Sequence, residues 1–451
     1  MSASSGPQMQ PVLVAGAWRP AAAVDSYRAV DSATGAARDA LWPVSGWADV
    51  DAALEAATAA AAELARLPGE AVAGFLERYA ARLERQAEPL IAAAHAETGL
   101  AVRPRLAEVE LPRTLDQLRQ AAAAAREQTW RMAMIDTPKN IRSMAVGLGP
   151  VVVFPPANFP LAFGAMSGGD FAAAIAGGNP VIAKAHPGHP TVSLLAAREA
   201  AEAVREAGLP PATVQLLHGV TPADGERLVA DPRVGGTGFT GGQEAGRKLY
   251  AAASAAGRVI WVEMGSINPV VLLPAALAER AAEIAGELTA SVTGSAGQFC
   301  TKPGLAFFVD DPAGQAFTAA AAKAFDAIGA QVLLGPTGRD RLRTAIDRLR
   351  AAGARLVAGG AAPADTGGPC THRPTLLEVT AAELVADPGR LVVEAFGNAT
   401  VLVRCGSLAD LARAVGCVGG SLGASVYLAK SGADDAAFAE IGPLLVARAG
   451  R

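Results

Sequence analysis

One cysteine lies in a segment whose composition suits nucleophilic chemistry. Cys300 ends the stretch GSAGQFC at residues 294–300, in which two glycines stand among small side chains. A turn of this kind leaves a thiol near backbone amides, which favour the thiolate and donate to an oxyanion. The alternative is an inert core cysteine, because cysteine is among the most frequently buried residue types. Since no histidine lies near Cys300 in the sequence, a Cys–His protease is only weakly supported.

Two further polar side chains stand where apolar segments end. Asn158 interrupts FPPANFP at residues 154–160, and Lys184 ends the apolar run 180–183. An asparagine after a strand can cap the following helix, and its amide can also donate to an oxyanion. A lysine at a strand end can contact the hydroxyl or phosphate groups of a cofactor. Both residues are therefore candidates for a ligand site.

Two acidic residues also stand in apolar surroundings. Glu394 lies in VVEAFG at residues 392–397, as either a solvated loop acid or a functional carboxylate. Residues 236–241, GTGFTG, match G-x-G-x-x-G, and Glu263 follows the last glycine by 22 positions. A dinucleotide fingerprint would put pyrophosphate on a helix N-terminus and Glu263 on the adenosine ribose. Against this interpretation, the pattern falls on the fourth predicted strand, and a chain with 49 glycines matches it easily by chance.

The elements that position these residues alternate between strand and helix from Pro150 onward. Short apolar runs separated by amphipathic stretches predict strands over 151–154, 180–184, 214–217, 235–240 and 259–263. The same pattern predicts helices over 161–176, 191–207, 223–230 and 244–256. Five short strands joined by helices indicate a parallel, doubly wound sheet, which binds ligands beyond the carboxyl ends of its strands.

Helices precede this unit and a second α/β unit follows it. We predict a hairpin over residues 12–18, amphipathic helices over 48–67, 71–95 and 105–126, and a protruding β-hairpin over 130–144. After residue 264, strands are predicted over 268–273, 304–309, 355–357, 375–379 and 400–404. Helices are predicted up to 293 and over 314–327 and 338–352.

Composition places the chain among globular proteins. It has 451 residues, 51% hydrophobic and 18% charged, which exclude a disordered chain and suit two or three domains. The net charge of -4 is spread without blocks, so we expect a small-molecule partner and no nucleic acid. The four cysteines form no C-x-x-C pair, so neither a disulfide framework nor a metal site is expected. We expect no signal peptide and no membrane segment, and a cytoplasmic location.

Taken together, six motifs resemble the NAD(P)-dependent aldehyde dehydrogenase superfamily, in order along nearly the whole chain. They are ANFPLAF at 157–163, PVIAKAHP at 180–187, GFTGG at 238–242, VEMGSINP at 262–269, GQFC at 297–300 and EAFG at 394–397. The first two are most similar to the branch that acts on α-ketoglutaric semialdehyde (2,5-dioxopentanoate) and on fatty aldehydes with NADP. The resemblance implies an enzyme that oxidises an aldehyde to the carboxylic acid, with NADP or NAD as cofactor.

The resemblance also implies a role for each residue. Cys300 would attack the aldehyde carbon, Asn158 and the Cys300 amide would stabilise the oxyanion, and Glu263 would activate the water that releases the acid. For Glu263, this role replaces the ribose contact suggested by the glycine pattern. Cofactor contacts are implied for Lys184, Pro187, Gly241, Gly242, Gly246, Glu394 and Phe396. Pro187 replaces a glutamate that NAD-selective members carry three residues after the lysine, so the 2′-phosphate of NADP is not repelled.

The implied fold class is α/β, with a doubly wound parallel-sheet cofactor domain, an α/β catalytic domain and a small oligomerisation hairpin. The predicted boundaries are 1–127 with 148–263 for the dinucleotide-binding domain, 128–147 for the hairpin and 264–451 for the catalytic domain. Family members continue for several tens of residues beyond the last residue, 451, which indicates a C-terminally truncated chain. We therefore expect a homo-oligomer that the missing segment weakens.

Two alternatives remain open. One is a truncated relative that binds a dinucleotide or a partner chain with weak turnover or none. The other is a CoA-acylating aldehyde dehydrogenase. Glu263 counts against the second alternative, because a thioester destined for CoA should not have a hydrolytic base beside it.

Overall fold

The computed structural model describes residues 8–360 and 368–451, which form two compact units. The first comprises the described residues up to Asp31 and Ala36–Met264, and the second comprises Ser32–Gly35 and Gly265–Arg451. Each has its own sheet and hydrophobic core. Within the described ranges, no helix has the length and apolar character needed to cross a bilayer.

The helices of the first unit follow the amphipathic patterns except at some of their ends. They are α1 (Trp47–Leu64), α2 (Gly69–Arg85), α3 (Ala87–Thr98), α4 (Leu111–Glu127), α5 (Gly169–Ala176), α6 (Pro190–Ala207), α7 (Pro222–Ala230) and α8 (Gln243–Ala255). The prediction of one helix over 71–95 is wrong, because α2 and α3 are separate. Pro89 explains the break: it would remove a hydrogen bond inside a continuous helix but is accepted in a first turn. The helix predicted over 105–126 consists of a π-helix over Val102–Glu110 that continues directly into α4, whereas α5 begins later than predicted, at 169.

The described strands of the first unit form one large sheet and two hairpins. They are β1 (Val12–Val14), β2 (Ala17–Arg19), β3 (Ala23–Val30), β4 (Ala37–Ser45), β5 (Met134–Asp136), β6 (Ile141–Ser143), β7 (Val151–Phe154), β8 (Val181–Lys184), β9 (Val214–Leu217), β10 (Gly236–Gly241) and β11 (Ile260–Met264). The sheet order is β11-β10-β7-β8-β9-β1-β2. Strands β7 to β11 are parallel, and β1 and β2 extend the sheet as an antiparallel edge. The predicted parallel sheet is confirmed.

Alternation along the central strands explains why helices cover both faces of this sheet. Val151 and Val153 of β7 lie in the core that contains Leu76 of α2, whereas Val152 lies in the core that contains Leu54 of α1. A strand buried on both faces reads as a continuous apolar run. This is the run by which the sequence predicts β7.

The G-x-G-x-x-G segment is a strand and not a phosphate-binding turn. Gly236–Gly241 form the whole of β10, between β7 and β11. A Cβ on Gly236 would lie 2.8 Å from the Trp261 ring, and one on Gly238 would lie 2.7 Å from the Asp170 carboxylate. These glycines therefore serve close packing against the sheet, and the fingerprint interpretation is wrong.

The hairpin before the sheet exposes apolar side chains. β5 and β6 pair antiparallel, with Ile135 opposite Arg142, as predicted. The large apolar residues exposed around it are Met132, Met134, Ile135, Ile141, Met144, Val146 and Leu148. A two-stranded ribbon of this kind is marginally stable by itself in water.

The second unit is a further α/β unit. Its strands are β12 (Val270–Leu272), β13 (Leu305–Val309), β14 (Gln331–Val332), β15 (Arg355–Gly359), β16 (Thr371–His372), β17 (Thr375–Thr380), β18 (Ala399–Cys405) and β19 (Ser425–Tyr427). Its helices are α9 (Pro274–Thr293), α10 (Pro312–Asp326), α11 (Gly335–Ala351), α12 (Ala381–Ala386), α13 (Pro388–Leu391), α14 (Leu408–Gly416) and α15 (Asp435–Val446). The main sheet has the order β15-β17-β18-β13-β12-β19, parallel except for β15. The elements that lie outside the predicted ones are β14, β16, β19, α12, α13, α14 and α15.

Candidate active site

Four parallel strands of the first unit bring predicted residues to one edge of its sheet. β11, β10, β7 and β8 are neighbours in that order, so their carboxyl ends lie together. Asn158 follows β7, Lys184 ends β8 and Gly241 ends β10. Glu263 lies one residue before the end of β11. This edge is where a doubly wound sheet binds its ligands.

Lys184 places an ammonium at this edge in a desolvated setting. Burial lowers the pKa of Lys184 to about 8, and its Nζ lies 5.7 Å from the centre of the Phe154 ring. Among the described residues, this ammonium has no hydrogen bond or ion pair. An anionic ligand would favour its charged form. Pro187 lies exposed in the following loop and brings no carboxylate to this region.

The chain after β10 allows a ligand to approach the backbone closely. Gly242 caps α8 and has no side chain to accept from the first-turn amides. A Cβ on Gly242 would meet no atom within 4 Å, whereas one on Gly246 would lie 2.8 Å from the Met264 sulfur. The N-terminus of α8, whose dipole favours anions, begins at this edge. Lys184, Gly241 and Gly242 therefore lie at an edge that is electrostatically suited to an anionic ligand.

A buried ion pair fixes the backbone around Asn158. The Arg105 guanidinium donates to the Asn158 carbonyl oxygen at 2.9 Å. Glu110 accepts from the amides of Leu161 and Ala162 at 2.7 and 3.1 Å. Arg105 and Glu110 are buried and also bind each other. The two charged side chains thus hold both ends of the turn that carries Asn158, which explains why α5 begins later than predicted.

Burial shifts the pKa values of Glu110 and His189 in opposite directions. Burial raises the pKa of Glu110, and the Arg105 charge and the two amides counteract this effect. His189 donates from Nε2 to the Pro156 carbonyl oxygen at 2.9 Å. Burial lowers the pKa of His189 to about 4, so its ring is neutral at pH 7. The segment before Asn158 is therefore fixed by a neutral donor, and the segment after it by an oxygen of Glu110 that accepts two amides.

Two phenylalanines that follow Asn158 pack against arginines. The rings of Phe159 and Phe163 meet edge to face with centres 5.0 Å apart. The Arg105 guanidinium lies 4.2 Å from the centre of the Phe159 ring, and that of Arg113 lies 4.9 Å from the Phe163 ring. Each geometry is within the range of cation–π attraction. The chain beside Asn158 thus combines aromatic surface with positive charge.

Glu263 lies on β11, the edge strand of the sheet. It is paired with Thr240 of β10, and its side chain is exposed, as is that of Trp261 two residues earlier on the same face. A carboxylate that acts on water as a general base needs such access to solvent.

In the second unit the candidate residues lie at the amino ends of the strands. The segments before the neighbouring parallel strands β12, β13 and β18 contain Asn268, Cys300 and Glu394. Ligands of doubly wound sheets bind at the carboxyl ends. Strand topology alone therefore does not predict this cluster.

The chain before Cys300 adopts a left-handed backbone that the surrounding structure must hold. Ser295, Ala296 and Gly297 have φ values of 49°, 55° and 67°. This conformation is costly for residues other than glycine. A Cβ on Gly297 would overlap the carbonyl oxygen of Gly397, so only glycine fits where this loop meets the EAFG motif. Cys300 follows as a half-buried residue.

Asn268 holds the backbone of the cysteine segment. Its Nδ2 donates to the carbonyl oxygens of Cys300 and Lys302 at 2.8 and 3.0 Å. Its Oδ1 accepts from the Ser266 hydroxyl at 2.8 Å and from the Gly423 amide at 3.2 Å. All four hydrogen bonds that a primary amide can make are formed. The neutral amide of Asn268 therefore helps to fix the backbone at Cys300.

Lys302 joins the cysteine segment to the EAFG motif. Its Nζ donates to the carbonyl oxygens of Ala395 and Ala399 at 3.0 and 2.6 Å. Burial lowers the pKa of Lys302 to about 8, and the Glu394 carboxylate partly opposes this effect. Carbonyl oxygens satisfy the ammonium donors but do not neutralise the charge.

Glu394 is bound by the chain rather than solvated in a loop. Its Oε1 accepts from the Ser266 amide at 3.1 Å, and a Cβ on Gly265 would overlap the carboxylate. Burial raises the pKa of Glu394, while the Lys302 charge acts in the opposite direction. Phe396 lies two residues further along and is half-buried. The interpretation as a solvated acid is therefore wrong.

A surface cavity of about 580 Å³ lies at the opposite, carboxyl end of the second sheet. Its lining includes Thr380, Asp310, Arg404, Asp410 and Arg413. Arg404 pairs with Asp310, and Arg413 pairs with Asp410. Because these charges already compensate each other and none of the predicted residues lines the cavity, we do not assign the chemistry to it.

The supporting residues Arg105, Glu110, Asn268 and Lys302 are not among those that the sequence singles out. Asn268 lies within the VEMGSINP motif and Lys302 lies two residues after Cys300, so closeness to a motif is a signal for both. Arg105 lies 53 residues before Asn158 in the chain and has no local signal. Only the fold brings it to the turn that it holds.

Comparisons with known proteins agree with these motifs. The profile of the aldehyde dehydrogenase family matches residues 18–430. Alpha-ketoglutaric semialdehyde dehydrogenase 2 of Azospirillum brasilense is 39% identical over 457 residues, which cover 98% of this chain and 85% of that protein. An alpha-ketoglutaric semialdehyde dehydrogenase of Acinetobacter baylyi is 36% identical over 283 residues, covering 60% of this chain and 53% of that one.

Solved structures share the fold at lower identity. Lactaldehyde dehydrogenase of Escherichia coli superposes with a TM-score of 0.81 at 22% identity, covering 96% of this chain and 90% of that one. Aldehyde dehydrogenase C of Pseudomonas syringae, in a complex with NAD+ and octanal, superposes with a TM-score of 0.79 at 23% identity, covering 96% and 87%. The chain therefore belongs to the aldehyde dehydrogenase family, as an NAD(P)-dependent oxidoreductase.

Proposed function

We propose that this protein oxidises 2,5-dioxopentanoate to 2-oxoglutarate, with NADP or NAD as the oxidant. The observation that carries the proposal is the 39% identity, over 98% of the chain, to an alpha-ketoglutaric semialdehyde dehydrogenase. Cys300, Asn158 and Glu263, the three residues that the family chemistry needs, stand at the matching motif positions. A fatty aldehyde is the second candidate substrate, on the resemblance of the ANFPLAF and PVIAKAHP motifs.

In the proposed reaction Cys300 is the nucleophile. Its thiolate attacks the aldehyde carbon, and the carbonyl oxygen becomes an oxyanion that the Asn158 amide and the Cys300 backbone N–H stabilise. The dinucleotide, when bound, accepts the hydride that leaves this carbon. The oxyanion collapses to a thioester on the Cys300 sulfur. Asn268, which binds the Cys300 carbonyl oxygen, keeps the Cys300 backbone in place during these steps.

Glu263 acts in the second half of the reaction. Its carboxylate takes a proton from water, the resulting hydroxide attacks the thioester carbon, and the carboxylic acid leaves with release of the Cys300 thiolate. The net change is one aldehyde and one water converted to an acid, with two electrons transferred to the dinucleotide. A CoA-acylating enzyme would have to protect this thioester from water, and the exposed carboxylate of Glu263 does not favour such protection.

We propose cofactor contacts for residues of each unit from their motif positions. In the first, Lys184 would contact the adenosine ribose, and Gly241, Gly242 and Gly246 would border the pyrophosphate. In the second, Glu394 and Phe396 would hold the nicotinamide ribose and ring. We propose that NADP is used at least as well as NAD, because Pro187 brings no carboxylate towards a 2′-phosphate. Replacement of Pro187 with Glu should shift the ratio of kcat/KM values towards NAD, and rejection of NADP by the native chain would contradict this view.

We also propose that the chain forms a homo-oligomer through the 128–147 hairpin. The exposed apolar side chains of this hairpin, such as Met134, Ile135 and Ile141, support the proposal because water does not favour their exposure. Light scattering of Ile135→Asp should show a smaller particle than the native protein. An unchanged mass would remove the hairpin from the interface.

The experiment that tests the proposed activity is a spectrophotometric assay of NADPH or NADH formation with 2,5-dioxopentanoate, with and without CoA. We expect CoA-independent turnover that Cys300→Ala abolishes while the dissociation constant of the dinucleotide stays within a few-fold. Substantial turnover by Cys300→Ala would overturn the mechanism. A strict dependence on CoA would favour the acylating alternative.

A further inference from the structure

Arg113 is a cation beside the aromatic residues that follow Asn158. Its guanidinium carbon lies 4.9 Å from the centre of the Phe163 ring and 6.0 Å from that of the Phe159 ring. Phe159 is the next residue after Asn158, and its ring meets the Phe163 ring edge to face. The guanidinium therefore packs on the two aromatic side chains that follow Asn158, the residue proposed to bind the aldehyde oxygen.

The Arg113 guanidinium has no charged partner among the residues that the structure describes. The residue is exposed, and among the described residues its guanidinium has no hydrogen bond or ion pair. The other arginine against Phe159, Arg105, is by contrast buried and paired with Glu110. Stacking on aromatic rings restricts the guanidinium but leaves its N–H donors available.

Arg113 lies near the start of α4, which continues directly from a helical segment over Val102–Glu110. Because the Leu111 amide already donates to the Leu106 carbonyl oxygen, this junction is not a free helix N-terminus. The attraction of this region for an anion therefore comes from the Arg113 guanidinium.

We propose that Arg113 binds the carboxylate at the end of the substrate opposite the aldehyde, and so selects ω-oxo carboxylates over neutral aldehydes. A guanidinium binds a carboxylate with two parallel hydrogen bonds. The apolar rings of Phe159 and Phe163 suit the short carbon chain between the two ends of such a substrate. The inference rests on the proposed function, because it takes the aldehyde end to bind beside Asn158.

The experiment compares two aldehydes of equal length, 5-oxopentanoate and pentanal, as substrates of the native protein, Arg113→Leu, Arg113→Lys and Arg119→Leu. Arg119 is the matched control, since it is an exposed arginine of the same helix that pairs with Glu84 at 2.8 Å. For Arg113→Leu we expect kcat/KM for 5-oxopentanoate to fall by roughly 10- to 100-fold, mainly through KM, since hydrogen bonds to charged groups are lost. The values for pentanal should stay within about two-fold. Arg113→Lys should lose less, and Arg119→Leu should match the native protein on both aldehydes.

A second measurement uses glutarate, an unreactive dicarboxylate, as an inhibitor competing with pentanal. Its inhibition constant should rise by roughly 10-fold or more in Arg113→Leu and stay unchanged in Arg119→Leu. An equal loss on both aldehydes, or an unchanged kcat/KM for 5-oxopentanoate, would overturn the inference while leaving the proposed oxidation intact. Failure of the native protein to oxidise either aldehyde would overturn the proposed function and this inference with it.

Discussion

Each unit has a parallel sheet of its own. The candidate residues lie at the carboxyl ends of the strands in the first unit and at the amino ends in the second. In the first unit Asn158, Lys184 and Glu263 lie at the carboxyl ends of strands, whereas in the second Cys300 and Glu394 precede the amino ends. The carboxyl edge follows from strand order, because parallel strands separated by helices open a crevice there. The amino end of the second sheet has no such general role, so its loops need specific side chains to fix them.

The supporting side chains differ in the same way. The turn of Asn158 is held by a buried pair of opposite charges, Arg105 and Glu110. The segment of Cys300 is held by the neutral amide of Asn268 and by Lys302, whose charge meets carbonyl oxygens. Loss of half of a buried ion pair leaves an uncompensated charge, whereas loss of an amide leaves only unpaired polar groups. The first unit should therefore be more sensitive to a single substitution than the second.

The largest expected effect is on the steady-state rate, because Glu263 of the first unit acts in a later step than Cys300 of the second. Glu263→Gln should allow the thioester to form on Cys300 but should lower the steady-state rate by roughly 100-fold or more, since its water lacks a base. The measurement is stopped-flow absorbance of NADPH or NADH, which should show a single-turnover burst. An undiminished steady-state rate would return Glu263 to the role of a ribose ligand.

The next effect tests the buried ion pair. Glu110→Gln should lower the free energy of unfolding by roughly 3–5 kcal/mol, because Arg105 is left buried without its counter-charge. Urea denaturation measures this change. Glu108→Gln is the matched control, since Glu108 is exposed and pairs with exposed Arg103. Similar losses of unfolding free energy in Glu110→Gln and Glu108→Gln would show that the buried ion pair is no more sensitive than an exposed one.

A smaller effect is expected for the amide of the second unit. Asn268→Gly keeps the left-handed backbone at φ 50° accessible but removes four hydrogen bonds, and it should cost roughly 1–3 kcal/mol of unfolding free energy. We expect kcat to fall more than KM rises, because the Cys300 backbone loses its support. Asn140→Gly, in an exposed turn with φ 53°, serves as the control for backbone effects. If Asn268→Gly lost more stability than Glu110→Gln, the second unit would be the more sensitive of the two to a single substitution.

The smallest effect is a dependence of stability on pH. The pKa of Lys302 is lowered to about 8 in the folded state from 10.5, so between these values the unfolded chain binds more protons. The free energy of unfolding should therefore gain a rising contribution as pH increases from about 8 to 10.5, and this contribution is lost as pH falls through 8. In Lys302→Met the slope in this window should decrease without vanishing, since the lowered pKa of Lys184 acts in the same direction. The exposed Lys323→Met is the control, and equal slopes in the two variants would contradict this origin.

Sequence patterns predicted the first unit well because its signals are local. The apolar runs of β7 and β8, and the glycines that end the intervening helices, identify strands and helices from neighbours in the chain. The same patterns misassigned residues 71–95 as one helix and began α5 too early, at 161. In the first case the effect of Pro89 on the helix was missed. In the second, the competing interaction comes from Glu110, which takes the amides that a helix would otherwise use.

The sequence by itself determined the parallel sheet of the first unit and the residue types available for chemistry, since apolar periodicity and motif spacing are properties of adjacent residues. Only the tertiary structure decided that Gly236–Gly241 form a strand, that Arg105 and Glu110 hold the Asn158 turn, and that Asn268 and Lys302 hold the Cys300 segment. These outcomes depend on contacts between residues far apart in the chain, such as the 53 residues between Arg105 and Asn158. The energies of these contacts depend on burial, and only the folded chain removes the groups from water.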